Sequence, residues 1–124
     1  MNDSIDRAKP TGATRLWRAF GNTARGLRAA YRDEAAFRQE LALAALVLPA
    51  GLWLGDGAIE KLLLTLPMLL ILAIELLNSA IEAAIDRIGF ERHPLSGLAK
   101  DLGSAAVFIG FVMLGLSWGL IVFD

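Results

Sequence analysis

Glu75-Leu76-Leu77-Asn78-Ser79-Ala80-Ile81-Glu82-Ala83-Ala84-Ile85-Asp86 decides the reading of this chain, because three acids and an amide follow directly on a run of residues greasy enough to cross a membrane. Charge is expensive in that position. On a helix of 3.6 residues per turn, Asn78, Ser79, Glu82 and Asp86 fall three, four, seven and eleven residues after Glu75, so the five form one polar stripe on an otherwise apolar rod. Such a stripe faces protein or water rather than lipid.

The rest of the chain has the same membrane character. Its 124 residues are 56% hydrophobic, and a mean hydropathy of +0.53 is too high for an ordinary soluble domain. One compact integral membrane unit is expected, 1–124. Formal net charge is −1, yet eight of the twelve basic residues precede Gln39 and only Lys61, Arg87, Arg92 and Lys100 follow it. There is no cysteine, which excludes disulfides and thiolate metal sites. The polar N-terminus has no apolar signal core.

Residues 1–13 are polar with no apolar period and read as a tail. Over 14–34, Leu16, Trp17, Phe20, Leu27 and Tyr31 recur at helical spacing, with Arg15, Arg18, Arg25, Arg28 and Arg32 between them. This pattern predicts an amphipathic helix on an anionic membrane surface; the alternative is a helix packed on a partner. Three apolar segments follow, 35–54, 59–85 and 102–123, each able to reach the ~20 residues that span a bilayer. Pro49 and Pro67 lie inside them and predict kinks rather than breaks. Most Lys and Arg lie in the N-terminal region and in the connection from Arg87 to Lys100, which places both in the cytoplasm and Asp124 outside.

On this topology Glu34, Arg38 and Glu40, then Glu75 to Asp86, then Lys100, Asp101 and Ser104 converge on the cytoplasmic interface. Carboxylates from two helices suit a hard cation such as Mg²⁺, which keeps waters or phosphates in its remaining positions. A nearby lysine suits an anionic phosphate, and a further carboxylate suits a general base acting on an alcohol. For Asn78 and Ser79 alone, interhelical glue is the competing reading. Lys100 with Asp101 can equally anchor the third membrane helix, and Arg92 with His93 can be a solvated loop. Gly51-x-x-x-Gly55 and Gly115-x-x-x-Gly119 fit small-residue helix packing. Neither G-x-x-x-x-G-K-[ST] nor G-x-G-x-x-G occurs, so any nucleotide is bound without a P-loop or a kinase glycine loop.

The stretch from Glu75 to Asp86 closely resembles the signature of the prokaryotic diacylglycerol kinase family, E-x-x-N-[ST]-[SA]-[ILV]-E-x-x-[IV]-D. The blocks Gly26 to Ala30, Glu34 to Glu40 and Ser96 to Val107 also resemble family blocks, so the likeness covers most of the chain after Thr14. It implies an all-α membrane protein, a surface helix plus three transmembrane helices, assembled as a homotrimer with active sites shared between subunits. The implied reaction moves the γ-phosphoryl group of ATP to the primary hydroxyl of diacylglycerol, giving phosphatidate at the cytoplasmic face of the bacterial inner membrane. Carried over by motif, Glu75 is the general base, Glu34 and Glu82 hold Mg²⁺ bridging the ATP phosphates, and Lys100 stabilises phosphoryl charge with Asn78 and Asp101 in support. Arg15, Arg28, Glu40, Trp53, Ser104 and Trp118 are implied to line the lipid or nucleotide sites. The loop Glu91-Arg92-His93-Pro94, the implied source of further nucleotide contacts, departs from the family pattern, which has an aromatic before the histidine and an acid after it. Asn22 stands where a tyrosine can occur.

The expected partners are therefore diacylglycerol, ATP and membrane lipids, with no nucleic acid. Undecaprenol kinase is the rival within the family. A small oligomeric channel or proton conductor, with the Glu75 stripe lining a pore, is the rival outside it.

Overall fold

The computed structural model describes residues 11–124; most of the tail expected over 1–13 lies outside them. The chain is all-α: α1 (Gly12–Asp33), α2 (Ala35–Leu54), α3 (Gly57–Ile88) and α4 (Pro94–Val122). Three of these, α2, α3 and α4, are long and apolar enough to cross a membrane.

Thr11 starts α1 by accepting the Thr14 N–H on its hydroxyl. The helix runs through Gly21 and Gly26 without a break. Leu16, Trp17, Phe20, Leu27 and Tyr31 are all exposed, and Ala30 is its one buried residue. The helix therefore has an apolar face and a basic face, with little of its own chain packed beneath it.

One residue separates α1 from α2. Glu34 is extended (φ −115°, ψ 105°) and its side chain makes no capping bond. The joint is closed instead by Arg38, whose guanidinium donates to the Tyr31 and Arg32 carbonyls at 2.6 and 3.0 Å. These are carbonyls of the last turn of α1, which no longer have intrahelical partners.

The helix α3 is the centre of the molecule, flanked by α2 and α4. Its buried residues Leu64, Met68, Ile71, Glu75 and Asn78 alternate steps of four and three, the seam of a coiled-coil-like packing. Against this seam α2 sets Gly51 at Leu64 and Thr65, and Ala44 at Met68 and Ile71. On the other side α4 sets Trp118 at Leu64, Gly110 at Ile71 and Gly103 at Asn78. Both pairings run antiparallel. Close approach is made at Gly51, Gly55, Gly103 and Gly110; Gly115 and Gly119 face open space, so the Gly115-x-x-x-Gly119 pattern does not mark a packing face within the chain.

Pro49 and Pro67 both sit inside unbroken helices. Pro67 has no N–H to give the Leu63 carbonyl. Beside that gap the Trp118 indole N–H donates to the Leu64 carbonyl at 3.0 Å, tying α4 to the weakened turn. Each of α3 and α4 also continues beyond its apolar stretch. The start of α4 is fixed by His93, whose Nδ1 accepts the Leu95 N–H at 3.1 Å, and by Pro94 in the first turn.

Candidate active site

The apolar half of the α3 seam becomes polar at Glu75, eighteen residues after Gly57. At 1.5 Å per residue this is about 27 Å along the axis, close to the far boundary of a ~30 Å hydrocarbon layer. Glu75 is 6% exposed, Asn78 8% and Glu40 on α2 7%, so Glu75 and Asn78 fill seam positions of α3 that Leu, Met and Ile fill above. Glu40 on α2 and Glu75 on α3 are thus two buried carboxyls on packed helices. Glu82 follows Glu75 by seven residues, two turns along the same face of α3, and Glu34 stands at the joint that leads into α2. Glu40 Oε2 and Asn78 Oδ1 have no hydrogen-bond partner among the described residues.

Two clefts open beside this buried core. The first, of ≈ 490 Å³, lies between α1 and α3, lined by Gly26, Leu27, Ala30 and Glu34 on one side and by Leu76, Ser79 and Ala83 on the other. Its walls are apolar and its acids gather at the α1–α2 joint. Asp33 at that rim is held below the usual carboxylate range by hydrogen bonds from Arg32. The second cleft, of ≈ 520 Å³, lies at the α3–α4 connection, lined by Asp86, Glu91, Arg92, His93, Ser96 and Lys100 among others. There Lys100 Nζ pairs with Asp86 Oδ1 at 3.3 Å.

The residues expected from the sequence therefore divide. Glu75, Asn78 and Glu40 share the buried seam, with Glu82 half-buried farther along α3 and Glu34 half-buried at the joint. Lys100, Glu91, Arg92 and His93 share the second cleft. Asp101 and Ser104 are exposed on α4, and Arg15 and Arg28 on α1. Arg15 is nineteen residues from Glu34, about 28 Å along the helix. Trp53 is 83% exposed at the far end of α2. Trp118 lies beside Leu64, eleven residues or about 16 Å along α3 from Glu75. Within one chain neither tryptophan is brought to the acids.

Two roles were not evident from the sequence. Asp86 is the partner of Lys100, fourteen residues away across a turn. Arg38 secures the joint that presents Glu34. Neither sits in a pattern that announces it.

No three His, Asp or Glu side chains among the described residues form a metal-binding group. The donor set still fits Mg²⁺, because that ion is ordinarily held by one or two carboxylates and takes its other oxygens from water and phosphate. Glu34, whose side chain is not spent on either helix end, is free to be one of them.

The sequence profile described as prokaryotic diacylglycerol kinase matches residues 21–122. A protein of Haemophilus influenzae named diacylglycerol kinase is 48% identical over 115 residues, covering 93% of this chain and 98% of its own. One of Escherichia coli with the same name is 47% identical over 114 residues, 92% and 93% of the two chains. One of Helicobacter pylori is 40% identical over 119 residues, 96% and 93%. A match across nearly the whole chain, including the polar half of α3, means that the chain belongs to the prokaryotic diacylglycerol kinase family.

Proposed function

We propose that this protein transfers the γ-phosphoryl group of ATP to the free primary hydroxyl of diacylglycerol, giving phosphatidate. The observation that carries the reading is a carboxylate, Glu75, buried with Asn78 on the central helix of a chain of this family. Phosphoryl transfer needs positioning and charge neutralisation more than covalent help from the protein. The apolar first cleft suits the acyl chains and glycerol of the lipid, and the second, with Lys100 and Arg92, suits a polyphosphate.

In this reading Glu75 takes the proton of the lipid hydroxyl as its oxygen bonds to the γ-phosphorus and the bond to the β,γ-bridging oxygen breaks, releasing ADP. Asn78, three residues on, holds the hydroxyl or the phosphoryl oxygens. Lys100 meets phosphoryl charge, which requires it to loosen its pairing with Asp86, and Asp101 supports it. Glu34 and Glu82 would hold Mg²⁺, which when bound neutralises the phosphate oxygens. The spacing of Glu75 and Glu82 on one face of α3 supports this assignment, since like charges there call for a cation between them.

The basic N-terminal region and α3–α4 connection favour a cytoplasmic site in the bacterial inner membrane, with the C-terminus outside. A homotrimer with shared sites is supported by α4, of which only Gly103, Gly110 and Leu114 are buried within one chain, and by the exposed Asp101 and Ser104. The test is a phosphate-transfer assay on the purified protein in bilayers, with diacylglycerol and a polyprenol as acceptors, with and without Mg²⁺. Diacylglycerol is expected to be labelled, and only with the metal present; exclusive labelling of the polyprenol would overturn the substrate assignment.

A further inference from the structure

The buried Asn78 makes a demand on a residue outside the machinery described above. Its unpartnered Oδ1 is aimed at α4 where Gly103 passes. A Cβ on Gly103 would overlap that oxygen and lie 3.0 Å from Asn78 Cγ. In glycine a hydrogen takes that direction, so the carboxamide rests against a Cα–H, a weak contact that recurs where helices approach closely.

No other glycine of α4 has this relation. Gly110 meets Ile71, an apolar side chain, at 2.9 Å, while Gly97, Gly115 and Gly119 have nothing within 4 Å. Gly103 is therefore the glycine of α4 that meets a polar side chain of α3. Both helices are long and packed along the rest of their seam, so a methyl group here cannot be relieved by moving α4 alone. The yielding part is the Asn78 side chain.

We propose that Gly103 is a positioning residue for the phosphoryl transfer: it forms the niche on α4 that holds the Asn78 carboxamide in its working direction. This rests on the reading that Asn78 assists Glu75. A displaced carboxamide lowers the chemical step while leaving the two clefts that bind substrates intact, and misplacement by about an ångström costs on the order of 10²-fold in rate.

The chain has three asparagines, Asn2, Asn22 and Asn78, so protein labelled with ¹⁵N-asparagine gives three side-chain amide pairs. That of Asn78 is identified by its loss in Asn78→Ser. In Gly103→Ala the Asn78 pair is expected to move, with kcat falling roughly ten- to a hundredfold and KM for both substrates changing less than about twofold. Gly110→Ala is expected to lower thermal stability while leaving the Asn78 pair in place and kcat within about twofold. An unmoved Asn78 pair in Gly103→Ala overturns the proposal, and so does a moved pair with unchanged kcat. Should Gly103→Ala fail to assemble, adding Asn78→Ser removes the overlapping oxygen's reach and is expected to restore assembly; a double variant no better than the single also overturns it. Unmodified protein that phosphorylates no lipid would instead sink the functional reading, with the amide result standing independently.

Discussion

Glu75 occupies a position on α3 that an apolar residue would fill at lower cost, and it is 6% exposed, with Glu40 of α2 buried as well. Burying carboxyls in a helix seam is costly, and a leucine would serve packing better. The arrangement is intelligible if the acid is needed for proton transfer. Glu75→Gln keeps the shape and the burial, so the protein is expected to assemble normally while kcat falls roughly 10²- to 10⁴-fold, the usual contribution of a positioned general base. Assay beside size-exclusion analysis checks this, and a variant retaining most of its activity would remove Glu75 from that role. Glu75 was legible in the sequence because a charge inside an apolar run is anomalous by itself. The pairing of Asp86 with Lys100 was not, because it is made across a turn whose path the sequence does not specify.

At the scale of the element, α3 carries two duties on one face. Its upper half packs Leu64, Met68 and Ile71 between α2 and α4, and its lower half carries the acids at the same heptad positions. The upper half includes the weak turn at Pro67, and the Trp118 indole bridges to it. Trp118→Phe keeps most of the ring and loses that hydrogen bond, which is expected to cost about 1 kcal/mol, a few degrees in thermal midpoint. Thermal unfolding in detergent checks this. Helix number and the three membrane-crossing segments were readable from hydropathy. The start of α4 at Pro94 was less so, because polar residues there extend the helix without adding to the apolar run, and His93 caps it through a side-chain nitrogen rather than a serine or aspartate. Which glycines make contact also needed three dimensions: Gly103 and Gly110 approach α3, whereas the more conspicuous Gly115-x-x-x-Gly119 does not.

For the molecule as a whole, a single chain leaves much of its apolar surface uncovered, with Phe108, Ile109, Leu116 and Leu120 of α4 all exposed. Lipid and neighbouring copies share that surface in the proposed trimer. If each site joins Glu75 of one subunit to Asp101 of the next, mixing Glu75→Gln with Asp101→Asn chains in equal amounts is expected to leave roughly a quarter of the sites with both native halves. Activity recovered on co-assembly of two inactive variants measures this, and none would mean that each chain works alone. The seam of α3 has a last consequence, which concerns phase. Each added residue turns a helix by about 100°, so one residue inserted between Ile71 and Glu75 would swing Glu75, Asn78 and Glu82 together out of the seam while leaving every side chain chemically intact. The leucines and isoleucines upstream thus act as the thread of a screw: their spacing, more than their identity, sets the angle at which the acids arrive.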